Sequence, residues 1–591
     1  MPIRTRFKAF IQHERFTLYL LLLAALIMAP SLWQGFHVDD KVHRALFLKL
    51  GVYADHPGHP IMDMFSFVKE DVTPLKPQID NGIMPWWSVK GLSLSFWRPI
   101  TAITHWLDYQ LWPDSPFAMH LHNLLWFLLL IGAISYFYKR FLPGTWAAGL
   151  AIYLYAVNSS FGMPVAWIAN RNALICTFFG VFTLIFYDRW RKENWLPGAF
   201  LAPLSLLIAL FAKEGGIAVC AYLFAYACFL EKGTLQEKFL PLFPYAAVVI
   251  GWRLVYRSYG YELKGSGLYV DPLAEPISFI FAVLEKAPLL LMGQWAFPSP
   301  ELWILLPRTG QLLMVLWAVC ILAIVFVILR PMWLDPKAKF WITGILLSVI
   351  PICATFPHTR LLFFVAIGGL GLLAQFLVGM WEGASWKLSS PGWQKLARIG
   401  AYGFVILHIV LSPLLLQTKF LMLHRMEQIA QQTSDSLKVK EAHKEHTYVV
   451  LNSPEPFLSL TIPIRKHVHK QVTPKILRIL ASGATAIQVS TADAHTLVLR
   501  PKRCFFHNFD LLFRKPTDRM KVGDVIRVPG MKITINALCK DGRPKQVSFR
   551  FSEPLHSKKL HFFQGEDGGT YKPIKLPPKG KSVMLAPLAF P

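Results

Sequence analysis

Acidic side chains are scarce in this chain: 35 Asp and Glu stand against 61 Lys and Arg in 591 residues. Charge of either sign is scarce too, at 16% of residues. No HExxH, CxxC, P-loop or GxSxG signature occurs, which removes the commonest zinc, redox, NTPase and serine-hydrolase readings. No 34-residue helical repeat is found. No small-residue cleavage site clearly follows the first apolar run, 17–33, and the run reads as a retained anchor rather than a removed signal peptide.

What the chain has instead is apolar length. Hydrophobic residues make up 54% of it, and the mean hydropathy is +0.40. A soluble chain of this size would form two or three domains with polar connections. Here apolar runs of about 17–25 residues recur, the length that crosses about 30 Å of hydrocarbon. Beyond 17–33, spans are expected near 118–138, 144–158, 168–187, 197–212, 216–230, 240–256, 310–330, 339–356, 361–381 and 399–417, eleven in all. The basic N-terminus (MPIRTRFKAF) should stay in the cytoplasm. Loops on that side carry Lys139 and Arg140; Arg189, Arg191 and Lys192; Lys232 and Lys238; Arg330, Lys337 and Lys339; and Lys387, Lys395 and Arg398. Loops on the other side, such as 158–167, are poor in Lys and Arg, so the alternation is self-consistent. Segment 277–297 is interrupted by Glu285 and Lys286 and reads as a re-entrant or surface helix.

The formal charge of +26 could suggest nucleic acid, but the positive-inside pattern accounts for many of the basic residues. The rest follow residue 418, with 29 Lys and Arg against 13 Asp and Glu. A basic module there suits an anionic membrane surface or an acidic glycan, and no nucleic-acid partner is expected. Eleven spans leave 418–591 outside the cytoplasm. Its pattern changes to short β-like runs, YVVL (448–451), AIQVS (486–490), TLVLR (496–500), DVIRV (524–528), KITINAL (532–538) and QVSFRF (546–551). The fold class expected is an all-α polytopic membrane domain over 1–417 followed by a small β-rich extracytoplasmic domain over 418–591. In the long outer loop 34–116, Trp86, Trp87, Trp97, Trp106 and Trp112 predict interfacial helices. Cys504 and Cys539 can pair if their region lies outside the cytoplasm, although spacing alone does not decide it.

Five constellations lie on one expected side of the bilayer. Gly35-Phe36-His37-Val38-Asp39-Asp40 follows the first span. A carboxylate at a membrane exit can act as a general base toward a hydroxyl, or the pair is a solvated acidic turn. It is not a D-x-D motif and specifies no metal. Phe96-Trp97-Arg98-Pro99-Ile100-Thr101 puts Arg98 at the interface, where it binds phosphate or snorkels to head groups. Trp167-Ile168-Ala169-Asn170-Arg171-Asn172, Ala212-Lys213-Glu214-Gly215-Gly216 and Phe356-Pro357-His358-Thr359-Arg360 complete the set. Lys213 and Glu214 either belong to a site or face water at a short turn. Their coincidence on one side gathers carboxylates and cations, as a phosphate-linked substrate needs. His120, His122 and His408 suit packing or hydrogen bonding better than metal ligation.

Together these segments resemble the GT-C superfamily of membrane glycosyltransferases, in particular the transmembrane and tetratricopeptide-repeat protein O-mannosyltransferases and their bacterial relatives. GFHVDD resembles that family's aspartate pair. FWRPITAITHWLDYQLW and FAMHLHNLLWFLLL resemble its F-R-P-L-T stretch and H-L-x-N helix. VAWIANRNALICTFF resembles its G-R-A-E-L segment, with Asn172 and Ala173 where the family has Ala and Glu. AKEGGIAV resembles S-K-E-x-G-I-T, and HTRLLFFVAIG resembles E-R-Y-L-Y-L-P-S more weakly. The resemblance covers about residues 15–380 and stops before the β-rich module, which stands where the family has helical repeats.

The resemblance implies an inverting transfer from a polyprenyl-phosphate sugar to an acceptor hydroxyl on protein, glycan or lipid. Asp40, or failing that Asp39, would be the base. Arg98, Arg171, Lys213 or Arg360 would neutralise the departing phosphate, with Glu214 and His358 as further site candidates. No cofactor is specified, and a divalent metal is left open. The implied setting is a bacterial inner membrane, with the N-terminus cytoplasmic and the C-terminal domain periplasmic. The rival readings are a flippase for lipid-linked sugar, which would show two similar halves, and a non-catalytic scaffold presenting the β-domain.

Overall fold

The structure, a computed structural model, describes residues 8–384, 386–388, 390–454 and 460–589. The chain divides into two compact units. The first comprises Met1–Gly35, Trp97–Tyr259 and Pro272–Leu423; the second comprises Phe36–Phe96, Gly260–Asp271 and His424–Pro591. The long first loop and the short segment after Tyr259 therefore fold with the C-terminal region.

The first unit is helical, and most of its long helices are apolar on all sides, as expected where lipid rather than water surrounds the bundle. Among the described residues, eight helices are long and apolar enough to cross a membrane: Phe16–Trp33, Pro116–Phe141, Ile168–Glu193, Leu235–Ser258, Pro276–Trp295, Arg308–Leu334, Phe363–Glu382 and Pro391–Ser436. Seven of these coincide with expected spans. The other four expected spans are shorter apolar helices, Trp146–Ala156, Pro197–Ala212, Val219–Phe229 (with the turn Glu214–Ala218 before it) and Pro336–Ile352. The eighth long helix, Pro276–Trp295, is the segment in which Glu285 and Lys286 predicted a surface or re-entrant element. It is continuous because both charges are satisfied: Arg308 pairs with Glu285, and Lys286 donates to the Cys353 carbonyl at 3.2 Å.

Ile168–Glu193 and Phe363–Glu382 are the most enclosed helices of the bundle. Small residues let their neighbours approach: Gly344 and Gly368 lie against Tyr222, whose hydroxyl donates to Phe364 O at 2.6 Å and accepts from Gly368 N at 2.9 Å. At one end of the bundle Arg140 pairs with Asp188 and Glu193, Lys192 with Asp188 at 2.6 Å, and Arg191 with Glu231 at 2.9 Å. The basic loop residues thus gather where the helices Pro116–Phe141 and Arg171–Glu193 finish and begin their turns.

The second unit is built on β-structure. Its strands, in chain order, are β1 Ser66–Val68, β2 Ser93–Ser95, β3 Leu263–Lys264, β4 Thr447–Val450, β5 Ile476–Ile479, β6 Ile487–Thr491, β7 Thr496–Pro501, β8 Val525–Val528, β9 Met531–Leu538, β10 Pro544–Phe551, β11 Leu560–Gly565, β12 Tyr571–Pro573 and β13 Ser582–Leu585. They form a three-stranded sheet (β1-β2-β3), a six-stranded sheet (β13-β6-β7-β10-β9-β8) and a four-stranded sheet (β12-β11-β4-β5). Every β-like run of the sequence is a strand. In the six-stranded sheet the alternation is one-sided: Val489, Leu497, Leu499, Ile533, Ile535, Val547 and Phe549 point into the core. Cys504 and Cys539 form a disulfide.

The tryptophans of the first loop behave differently from the expectation of a common interfacial role. Trp86 and Trp87 are 4% and 1% exposed and belong to the β-unit's core, where Trp86 Nε1 donates to Leu480 O at 3.0 Å. A folded apolar core takes up their area as well as a lipid interface would. Trp106 alone of the five is 40% exposed, on the helix Pro99–Leu111, beside Ile103, Leu107 and Leu111 on the same exposed face. That helix keeps the interfacial character expected of the loop.

Candidate functional site

In the first unit, the four expected cations lie at the end of the bundle opposite Arg140 and Asp188. The turn between helices Pro197–Ala212 and Val219–Phe229 carries Lys213 and Glu214. It must fold back tightly, and a Cβ on Gly216 would lie 3.0 Å from the Ala209 backbone, which explains the glycine in A-K-E-G-G. Arg98 engages Glu214 through Nη2 at 2.7 Å and Nε at 3.0 Å. Both are half-buried. The guanidinium of Arg360 sits over the Trp167 ring at 5.1 Å and over Phe356 at 5.5 Å.

Lys213 differs from these. Among the described residues no carboxylate hydrogen-bonds its Nζ. Its ammonium pKa is pushed down to about 7 by burial and by the positive charges of Arg98 and Arg360, which Glu214 only partly offsets. A cation destabilised by burial and by like charges gains most from an incoming anion. A dianionic or monoanionic phosphate would restore the charge balance of this end of the bundle and take charge-assisted bonds from a guanidinium fork.

Arg171 is built into the fold. Its side chain has no exposed surface. It pairs with Asp108 Oδ2 at 2.6 Å and donates to Met119 O at 3.0 Å, Thr104 O at 3.2 Å and the Asn123 side chain. His122 joins the cluster, 2.6 Å from Asp108 Oδ1 and 3.2 Å from Arg171. Three of the family-like segments thus meet in one buried polar network: LDYQLW through Asp108, HLHNLL through His122 and Asn123, and ANRNAL through Arg171. His120 bonds Gly35 O at 2.7 Å. Asp108 was not singled out from the sequence, and its only signal there was an acid inside an otherwise apolar helix.

Glu301, also unsuspected from the sequence, fixes the fifth segment. It accepts from Lys419 Nζ at 2.7 Å and from Thr359 N and Oγ1 at 3.2 Å, and lies 3.9 Å from His358. Burial raises its pKa, but His358 and Lys419 more than offset this and hold the carboxyl below its usual range. His358 is buried, and its Nδ1 accepts from the Arg360 backbone N–H at 3.1 Å.

In the second unit, Asp39 and Asp40 occupy the first turn of the helix Val38–Phe47, where the helix dipole favours negative charge. Asp40 is 2% exposed, and its Oδ2 accepts from the His37 backbone N–H at 2.9 Å. Asp39 is half-buried. The same helix is pinned by Lys41, which bonds Glu427, and Glu427 is in turn held by Arg465 at 2.7 Å.

No family model matches the chain. It is similar to Protein O-mannosyl-transferase TMTC3 of Homo sapiens, 26% identical over 165 residues, which is 27% of this chain and 18% of that protein. The chain therefore matches less than a fifth of that relative's length. Among solved structures it is similar to arabinosyltransferase EmbB from Mycobacterium smegmatis, with a TM-score of 0.35 and 12% sequence identity over 99% of this chain and 53% of that one. The curated relative agrees with the family resemblance read from the motifs.

Proposed function

We propose that the protein is a membrane glycosyltransferase of the GT-C type that moves a sugar from a polyprenyl-phosphate donor to an acceptor hydroxyl, with inversion. The observation that carries this reading is the end of the bundle where Arg98 and Arg360 lie near the Lys213 ammonium, to which no carboxylate among the described residues hydrogen-bonds, in segments that resemble those of membrane O-mannosyltransferases. By the family resemblance, the acceptor oxygen attacks the anomeric carbon and a carboxylate of the Asp39–Asp40 turn takes its proton; we assign that role to Asp39 rather than to Asp40, the first choice from the sequence. The carbon–oxygen bond to phosphate breaks, and the polyprenyl phosphate leaves with the bonding pair, its charge met by Lys213 with Arg98 and Arg360. Asp40, committed to the His37 amide, positions the helix turn that carries Asp39. Arg171 positions the helices around Asp108 and has no donor to spare for the phosphate. The acceptor is a hydroxyl of protein, glycan or lipid.

In this reading the basic end of the bundle, with Arg140, Arg191 and Lys192, faces the cytoplasm. The site faces the periplasm of a bacterial inner membrane, as does the C-terminal module. A disulfide between Cys504 and Cys539 suits that oxidising side. No nucleotide-binding fingerprint follows any strand, which favours a lipid-linked over a nucleotide-linked donor.

The donor class is tested with protein purified in detergent and offered either donor. Turnover is expected with the polyprenyl-phosphate sugar. Turnover with a nucleotide sugar alone, in the absence of any polyprenyl phosphate, would refute the assignment. If neither donor is consumed but lipid-linked sugar crosses liposomes, the chain is a flippase.

A second expectation concerns pH. The cationic form of Lys213 binds phosphate, and its pKa of about 7 in the unliganded protein is depressed. Donor kcat/KM should therefore fall as pH rises through that value and the ammonium is lost. Complete loss of one charge-assisted contact is worth about 1.5–3 kcal/mol, roughly ten- to a hundredfold. Lys213→Arg should flatten the fall, since a guanidinium stays protonated. A wild-type profile flat from pH 6 to 9, or a variant that keeps the wild-type fall, removes Lys213 from the phosphate site.

A further inference from the structure

The second unit brings three histidines together at a place the proposed transfer does not use. A 3₁₀ turn, Glu441–His443, precedes strand β4. His443 and His446 are three residues apart in H-K-E-H, and the His446 backbone N–H donates to His443 O at 3.0 Å. Residues three apart stack on one side of such a turn. Strand β11 lies parallel to β4 with His561 opposite Tyr448. Side chains alternate along a strand, so His446 and Tyr448 share a face, and His561 joins that face from across the ladder. The three rings stack with centroids 4.7, 5.2 and 5.3 Å apart, and Tyr448 backs His561 at 4.8 Å. One ring nitrogen from each lies within 4.8 Å of the others, and His446 Nδ1 is 2.9 Å from His561 Nε2.

We propose that His443, His446 and His561 form a three-imidazole site for a divalent late first-row metal ion, with zinc as the first probe. Neutral imidazole is a preferred ligand of zinc, copper and nickel. Three such ligands leave a further coordination position for water or a ligand group. The surroundings suit a cation. Two nearby lysines are paired, Lys444 with Glu441 at 2.6 Å and Lys475 with Glu445 at 2.7 Å. All three side chains are half-buried rather than locked in the core, so their rings can turn to bring the nitrogens onto one ion. The metal would tie the turn before β4 to β11 and clamp the parallel seam of the four-stranded sheet. The other close group of ligand-type side chains among the described residues, Cys504, Cys539 and Asp541, has its sulfurs tied up in the disulfide.

The test uses the full-length protein in detergent, purified on a tag without histidines, stripped with chelator and titrated with zinc alone. One zinc per chain is expected to bind with a dissociation constant in the micromolar range or tighter. His443→Gln and His561→Gln should each weaken binding at least about a hundredfold, since losing even an outer-sphere partner costs about ten- to a hundredfold. His443 is on the surface turn, so its replacement leaves the strands intact. Cobalt added to wild-type protein provides a readout that needs no variant, the visible absorption of a four- or five-coordinate ion. Absence of such zinc binding, zinc binding unchanged in both variants, or a cobalt spectrum of only six-coordinate, water-like cobalt overturns the proposal.

Discussion

Asp39→Asn is expected to lower sugar transfer by about a hundred- to ten-thousandfold, the range that a positioned general base contributes, while the protein still inserts and folds. Asn matches Asp in shape but cannot take the acceptor proton. Asp40→Asn should cost much less, because an amide oxygen can still accept from the His37 backbone N–H that Asp40 caps at 2.9 Å. The comparison separates chemistry from helix capping within one turn. Transfer rates of the two purified variants, with thermal melting as the control for folding, supply it. Full activity in both variants would remove the base from this helix.

Asp108→Leu is expected to destabilise the helical unit by about 3–5 kcal/mol, the cost of leaving one partner of a buried ion pair behind. Arg171 has no exposed surface and lies 2.6 Å from Asp108, so water cannot replace the lost carboxylate. Replacing both, Asp108→Leu with Arg171→Met, should recover most of that loss, because a well-packed apolar pair removes the buried charge altogether. Thermal unfolding of the four proteins in one detergent closes the cycle. An unchanged melting temperature in Asp108→Leu would show that the pair holds nothing together.

Much of the bundle was legible because apolar length is a one-dimensional signal. The run at 118–138 lies within the long helix Pro116–Phe141, and all but the first two residues of the run at 361–381 lie within Phe363–Glu382. The six strands read from the C-terminal sequence were legible for the same reason, since their alternation is local. Strands β5 (ILRI) and β11 (LHFFQG) were not. They pair in parallel with β4, so no hairpin turn joins either of them to it and marks its ends. The membership of Phe36–Phe96 and Gly260–Asp271 in the β-unit was equally hidden, because it rests on contacts such as Trp86 Nε1 with Leu480 O and Gly267 N with Leu511 O, far apart in sequence.

The site was legible in part. Motif resemblance picked out Arg98, Arg171, Lys213 and Arg360, but it could not distinguish a guanidinium consumed by the fold from an ammonium left with positive neighbours. That difference arises from Asp108 and Glu214, partners that only the folded chain brings near. Glu301 and Lys419 were missed because 118 residues separate them and neither belongs to a motif. The H-K-E-H spacing at 443–446 was not singled out, and its third partner, His561, comes from another strand.

The measurement that bears most directly on the central claim is the pool of lipid-linked sugar in the host. Cells lacking the protein are complemented with either the wild-type gene or Asp39→Asn. A glycosyltransferase that consumes a polyprenyl-phosphate sugar predicts that the donor accumulates in the deletion, returns to its basal level with the wild type, and stays high with Asp39→Asn. A lipid-linked pool that is the same in all three strains would contradict the account.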